Sequence, residues 1–415
     1  MMDSRNTAHP AWLTSRRLRV HGLILAICLW STYAWILSSP GLLDRNRIVK
    51  GADFLHFYTL GSLVREHRSA QLYDMEVQST LTQERVPQVG RVRFVPLYGP
   101  QVSLFFAPLS MLPYSQALLV WLLLNAASYA LCCYVLWKKC PNLQSESMLI
   151  FILALAYPGF FHVIAWGQTS GLALACFTAA YLALRSQRYF LAGLALGCLI
   201  FKPQLGLATA FVIILGTGEW MIVWGALLAA LAQLSVGWLY YGTSVMRDYF
   251  HHLVHVRSLF SQLEPRPYQM HSLRSFWAML VPWSHLAFAL YVITAVAVLA
   301  MTLYCWRTRA SLNLRFAALL IATVLVSPHL TVYDLVILAP AYLLLADWIV
   351  ADGRASARNL GMLLYLGYAL PLFGPLSIWT HLQLSVPAMA AILWMIFRAT
   401  EPQTEAVSDA IAAEV

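Results

Sequence analysis

Apolar and polar positions fall along this chain in long blocks rather than in short alternations. A membrane-crossing helix needs about 20 consecutive apolar residues. Runs of that kind, some of them shorter, are read at 22–39, 115–137, 148–166, 169–184, 220–241, 284–305, 313–327, 332–350, 359–378 and 384–397. Two further runs, 189–201 and 205–215, are stunted and meet at Lys202-Pro203. Residues 96–113 are apolar but cut by Pro100, Pro108 and Pro113. That predicts a re-entrant or surface hairpin, because backbone groups freed by proline must be satisfied by other protein. Two long polar stretches remain, 40–95 and 242–282. The first contains GADFLHFYTLGSL, residues 51–63, whose Phe54, Phe57, Tyr58 and Gly61, with Val64 beyond, recur at helical spacing. This predicts an amphipathic helix lying along the membrane interface.

Composition agrees with the block pattern. Of 415 residues, 60% are hydrophobic and 11% charged, against about 25% charged in a soluble domain. So much apolar surface has to face lipid or other spans, and the expected fold is an all-α polytopic membrane protein. The net charge of +9 then belongs to cytoplasmic loop ends and lipid headgroups rather than to nucleic acid. All seven cysteines lie in or beside apolar runs and neither long polar stretch holds one. Neither a disulfide framework nor a metal-binding spacing is present in that pattern.

The short loops set the orientation, because long loops escape the positive-inside rule. With these spans, the amino terminus, Lys138-Lys139, Arg185/Arg188, Arg307/Arg309/Arg315, Arg354/Arg358 and Arg398 share one side, which is read as the cytoplasm. Both long polar stretches, Gln168, Lys202 and His329 then share the other. The domain organisation expected is a cytoplasmic segment 1–19, one catalytic membrane domain 20–398 with outer loops 40–95 and 242–282, and a disordered cytoplasmic tail 399–415.

Four polar residues stand out beside apolar runs. Asp53 opens the helix of the first loop; it either caps the helix or serves as a general base, which must be an anion near neutral pH within reach of a hydroxyl. Lys202 either snorkels from a helix end or faces a phosphate, where a cation compensates the charge of a leaving group. His329, in SPHLTVYDL, is an interfacial histidine or a second phosphate ligand, and Asp334 beside it suits a buried cation as its partner. Gln168, in WGQTSG, either satisfies helix-start donors or contacts substrate. His251 and His255 have i, i+4 spacing, yet no carboxylate or cysteine completes a ligand set, so no metal is expected.

In order along the chain stand DFLHFY (53–58), LYD (72–74), FVPLYGP (94–100), APLSMLP (107–113), GQTSGLAL (167–174), AGLALGCLIFKP (192–203) and SPH (327–329). Over about residues 50–340 this series resembles glycosyltransferase family 87, polytopic polyprenyl-phosphate-dependent enzymes of the GT-C fold that include mannosyltransferases. The departure is Val95-Pro96-Leu97-Tyr98-Gly99-Pro100, where the family pattern has a Tyr-Pro-Pro-like run. The resemblance implies a GT-C-like bundle of about 10–12 transmembrane helices with helices in the outer loops. It implies that Asp53 is the catalytic aspartate and that Lys202 and His329 lie near the donor phosphate. His56, Tyr58 and Gln168 are expected to bind substrate.

The function expected is inverting transfer of a hexose, mannose by the resemblance, from a polyprenyl-phosphate donor to a hydroxyl of a glycan or glycolipid acceptor. It would take place on the extracytoplasmic face of the cell membrane. No cofactor is expected, since the lipid-linked sugar is a substrate. Membrane lipids are the remaining partners. The alternatives are a transporter or flippase of lipid-linked saccharides, whose polar groups would lie nearer the midplane, and a non-catalytic scaffold.

Overall fold

The computed structural model describes residues 14–352 and 355–401. The expectations for residues 1–13 and for the tail beyond 401 lie outside that range. The first half of the chain forms α1 (Ser15–Leu37), α2 (Ala52–Arg65), α3 (Met75–Arg85), α4 (Pro100–Phe106), α5 (Tyr114–Trp137), α6 (Ser147–Leu155), α7 (Pro158–Trp166) and α8 (Ser170–Arg185). The second half forms α9 (Tyr189–Gly197), α10 (Leu207–Gly216), α11 (Trp220–Val254), α12 (Phe260–Leu263), α13 (Leu273–Leu280) and α14 (Ser284–Arg307). It ends with α15 (Leu312–Val326), α16 (Ala339–Ala351), α17 (Ala355–Ala369), α18 (Ser377–Thr380) and α19 (Ser385–Thr400). Outside helices, the described residues pair only as isolated bridges, Leu43 with Val49 and Met270 with Thr331.

Among the described residues, six helices are long and apolar enough to cross a membrane, seven if the pair Pro141–Leu155 and Pro158–Trp166, bent by 43°, counts as one span. Pro158, at the first position of α7, has no amide to continue the helix before it, which accounts for the bend. Five shorter apolar helices complete the bundle, among them the stunted pair Tyr189–Phe201 and Pro203–Gly216. The protein is therefore an all-α polytopic membrane protein. Its centre is α15, where every residue from Phe316 to Val326 is buried. A helix that is apolar all round belongs inside a bundle.

Close helix approach is specified by small residues. A Cβ on Gly193 or Gly197 would come within 2.1 or 2.2 Å of the carbonyl oxygens of Ile222 and Ala226, and one on Gly225 within 2.3 Å of that of Phe190. This is the small-xxx-small packing that lets membrane helices touch through their backbones. It fixes α9, and hence Lys202 beyond it, against α11.

The two polar stretches fold differently from the expectation. The helix that begins with Ala52 does not lie along the interface: Phe54 to Val64 are all buried. Its polar residues are satisfied internally, Thr59 Oγ1 donating to Leu55 O at 2.8 Å and Ser62 Oγ to Tyr58 O at 3.0 Å. The second polar stretch does not begin at 242, because α11 runs on to Val254 through a break at Gly242 (φ 80°, ψ 179°). Beyond the break Val245, Met246 and Tyr249 pack with Leu60, Leu63, Leu72 and Tyr73 of the first stretch. The proline-rich segment forms the short helix α4, and its Phe106 stacks on Phe57 at 4.8 Å.

Candidate active site

Two glycine turns place the central side chains. Gly51 (φ 67°, ψ 51°) is the N-cap of α2, and Gly167 (φ 70°, ψ 37°) ends α7. Both are left-handed, where a Cβ is penalised. They also lie back to back: a Cβ on Gly167 would stand 2.8 Å from Phe54 Cβ and 3.6 Å from Gly51 Cα. One face of α5 holds both turns. The Tyr114 hydroxyl reaches Lys50 O at 2.7 Å and Gly51 O at 3.0 Å, and Trp121 Nε1 donates to Gly167 O at 2.8 Å.

These turns bring Asp53 and Gln168 together. Gln168 Nε2 donates to Asp53 Oδ2 at 3.0 Å. Its own Oε1 accepts from Thr169 N at 2.8 Å and Thr169 Oγ1 at 3.2 Å, which fixes the amide orientation, with the Tyr98 hydroxyl at 3.5 Å. The Asp53 carboxylate makes no capping bond to the start of α2, so the capping role is not the one it takes. Asp53 is only partly buried by area but lies deep in the fold. Burial pushes its carboxyl up to about 6, against the lowering effects of the Gln168 bond, the Lys202 charge and Tyr333.

Lys202 sits at the turn between the stunted helices, 3% exposed. Its Nζ donates to Asp334 Oδ1 at 2.7 Å and to Ser170 Oγ at 2.9 Å, and it stands 5.1 Å above the Tyr333 ring. Asp334 is fully engaged. Its Oδ1 also accepts from Ser170 Oγ at 2.7 Å, and its Oδ2 from Thr331 Oγ1 at 3.1 Å and Thr331 N at 3.3 Å. The group therefore holds two carboxylates and one ammonium. The ammonium is committed to Asp334, and Asp53 is left with neutral hydrogen-bond partners.

The other expected residues have partners of their own. His329 Nδ1 is 2.9 Å from Glu264 Oε1, and Arg274 also pairs with Glu264. Burial would raise the Glu264 carboxyl, but His329 and Arg274 outweigh it and hold it below its usual range. Arg274 Nε also donates to Pro328 O. His56 packs between Phe94 and Tyr98, ring centroids at 4.9 and 5.9 Å. Burial pushes its imidazole down to about 3. Tyr58 turns to the far side of α2, its hydroxyl donating to Leu112 O at 2.9 Å. The His251 and His255 rings pack at a tilt of 33°, their centroids 4.2 Å apart.

Sequence reasoning did not single out Tyr98, Ser170 or Tyr333, and weighed Asp334 only as the mate of a cation. An acid inside an apolar run is the signal that marks Asp334. Nothing distinguishes Tyr98 or Tyr333 among twenty tyrosines.

The sequence model of glycosyltransferase family 87 matches residues 97–328. No curated protein and no solved structure matches the chain. The matched range takes in Tyr98, Gln168, Ser170, Lys202, Glu264 and Arg274, and it excludes Asp53, His329, Tyr333 and Asp334. A transferase family favours the enzyme over the transporter and scaffold alternatives. Matched over more than half of its length, the chain belongs to glycosyltransferase family 87 and is a multi-pass membrane glycosyltransferase.

Proposed function

We propose that the protein transfers a hexose, mannose first among the candidates, from a polyprenyl-phosphate donor to a hydroxyl of a glycan or glycolipid on the extracytoplasmic face. Asp53 is the general base. The acceptor hydroxyl oxygen attacks the anomeric carbon from the side opposite the phosphate, and its proton passes to an Asp53 carboxylate oxygen. The bond between the anomeric carbon and the phosphate oxygen breaks, and polyprenyl phosphate leaves with the electron pair. Configuration at the anomeric carbon inverts. Lys202 and His329 compensate the growing phosphate charge; each is held by a carboxylate, Asp334 and Glu264, in the resting protein. Gln168 orients Asp53, His56 backs the first-loop wall through Tyr98, and Tyr58 anchors α2 from its far side.

The single observation that carries this reading is the Asp53 carboxylate itself. It opens a buried helix and lies beside but not in contact with a lysine committed elsewhere, and burial pushes its carboxyl up to about 6. Such a group is ionised at neutral pH and still basic enough to accept a proton. The test is transfer from labelled polyprenyl-phosphate mannose in membranes bearing Asp53→Asn. Loss of a positioned base costs about 10²- to 10⁴-fold in rate. Wild-type turnover in that variant would remove Asp53 from the role.

A further inference from the structure

The segment between α12 and α13 touches both loops that carry the reacting group. Arg266 stands 5.2 Å over the ring of Trp166, beside the Gly167 turn. Further along, Met270 bridges Thr331, and His271 N donates to Leu330 O at 3.0 Å, next to the loop that holds Asp334. Gln383 Nε2 pins Tyr268 O at 2.9 Å and Met270 O at 3.1 Å. At the head of the segment stands Glu264. Its Oε1 takes both His329 Nδ1, at 2.9 Å, and Nη2 of Arg274. Burial opposes a charge on Glu264, but those two partners outweigh it, so the residue stands there as an anion.

The two carboxylates that hold the site's basic groups are not equal. Asp334 is tied by Lys202, Ser170 and Thr331, and its ion pair with Lys202 is almost closed to solvent. The side chains of Glu264, Arg274 and His329 keep 12%, 18% and 21% of their surface exposed. Arg274 lies in the first turn of α13, where the helix dipole disfavours a cation and favours an anion beside it. Its bond to Pro328 O holds the guanidinium in place. A guanidinium fork fits phosphate as well as it fits carboxylate. Arg274 and His329 therefore form an anion site open to an incoming ligand, and the anion now in it is a side chain of the protein itself.

We propose that Glu264 is an internal competitor for the substrate phosphate: it fills the Arg274–His329 site in the resting protein, yields it to the donor and reclaims it to expel polyprenyl phosphate. The inference rests on the transferase reading above and deepens it, adding Arg274 as a phosphate ligand and Glu264 as the group that regulates the same site. Charge gives the direction. The donor is a phosphodiester with a single negative charge, so exchanging the carboxylate for it leaves the charge of the site unchanged. Transfer converts that diester to a monoester, which carries about 1.5 to 2 negative charges near neutral pH. The product would therefore be held more tightly than the donor and would block the next turnover. A carboxylate tethered beside the same two groups opposes that retention, because its return is intramolecular. The pins at Tyr268 and Met270 fix the far end of the tether, and Pro265 and Pro267 stiffen the chain between.

The experiment measures binding to the full chain in phosphatidylcholine nanodiscs, with undecaprenyl phosphate, undecaprenol and phosphatidylglycerol as probes. The wild type is expected to bind undecaprenyl phosphate more tightly than either of the others. Glu264→Gln should bind it about tenfold more tightly still, the gain from removing a competitor that fills about nine-tenths of the sites. Adding Arg274→Gln to Glu264→Gln should then weaken binding about 10- to 100-fold, the loss expected for hydrogen bonds to a charged group. Melting curves check that both variants fold. Amide exchange in the wild type needs no substitution: residues 262–266 should exchange faster when undecaprenyl phosphate is added, and not when undecaprenol is. Unchanged or weaker affinity in folded Glu264→Gln, added protection of 262–266, or equal binding of phosphatidylglycerol overturns the competitor. Binding that ignores Glu264 and Arg274 sinks this inference alone, whereas no binding by any variant sinks the polyprenyl-phosphate donor with it. Asp53→Asn should bind as the wild type does, so an active Asp53→Asn enzyme would remove the base assignment and leave this result standing.

Discussion

At the scale of single residues the site is an unequal division of charge. Lys202 has spent its attraction on Asp334, and Asp53 carries the uncompensated negative charge. Burial has raised the Asp53 carboxyl from its ordinary 3.8 to about 6. Acting as a base, it must be ionised, so transfer should rise as pH increases to about 6 and level off above it. The stability effect has the opposite sense. A carboxyl whose folded pKa exceeds its unfolded value binds protons more tightly when folded. Asp53 therefore weakens the fold above about 6, and that cost disappears as pH falls toward 3.8. Asp53→Asn should accordingly melt on the order of a few degrees higher at neutral pH while losing transfer, which paired melting and activity curves would show. For Lys202 and Asp334, removal of one member strands a buried charge, typically at about 3–5 kcal/mol. Lys202→Met and Asp334→Leu should each lose folded protein. The double variant should recover it and remain inactive; an active double variant would show that the ammonium serves only the fold. Lys202, Asp53 and Gln168 were legible in the sequence because polar residues are rare beside apolar runs. Asp334 was half legible, and Tyr98 and Tyr333 were not, because a buried tyrosine looks like any interfacial one.

At the scale of elements, the site depends on one face of α5 pressing two left-handed glycines together. Gly167→Ala would place a methyl 2.8 Å from Phe54 Cβ, on a helix that has little room to retreat, and would add about 1–2 kcal/mol for the left-handed backbone. Because Gln168 and α2 move with that turn, transfer should fall by more than thermal stability does. Trp121→Phe removes the 2.8 Å bond to Gly167 O, worth about 1 kcal/mol, together with part of a buried ring packed on Phe54 and Phe106, so both transfer and melting temperature should fall, the former by more. A melting curve and a rate for each variant decide it. The spans themselves were readable from apolar run length, including the stunted pair at Lys202. The α2 helix was misread as interfacial because His56, Thr59 and Ser62 look like a wet face. In the fold Thr59 and Ser62 spend their hydroxyls on their own helix backbone, and a third element, α4, covers the aromatic side. Helix continuation past Gly242 was equally hidden, since glycine with positive φ reads as a stop until a packing partner appears on its far side.

At the scale of the whole molecule the bundle has two chemically distinct ends. At one, Arg19 meets Glu146 at 2.5 Å, Asn142 N donates to Asp347 Oδ1 at 2.8 Å and Arg307 Nη2 to Leu215 O at 2.9 Å. At the other stand Asp53, Gln168, Lys202 and the two polar stretches. The segregation of Lys and Arg in the short loops sets which end faces the cytoplasm. The proposed chemistry depends on that placement, because acceptor, donor sugar and Asp53 must share a compartment. Arg91, exposed in the first polar stretch, and Arg188, exposed between α8 and α9, report the two ends without touching the site. With Arg91→Cys and Arg188→Cys introduced singly, an impermeant maleimide added to intact cells should label only the first. Arg188→Cys should react only after the membrane is opened. Both reagent and residue are charged or polar, so neither crosses the bilayer on its own. The reverse pattern would put Asp53 in the cytoplasm, and transfer to an acceptor outside the membrane would have to be abandoned even if Asp53→Asn proved inactive.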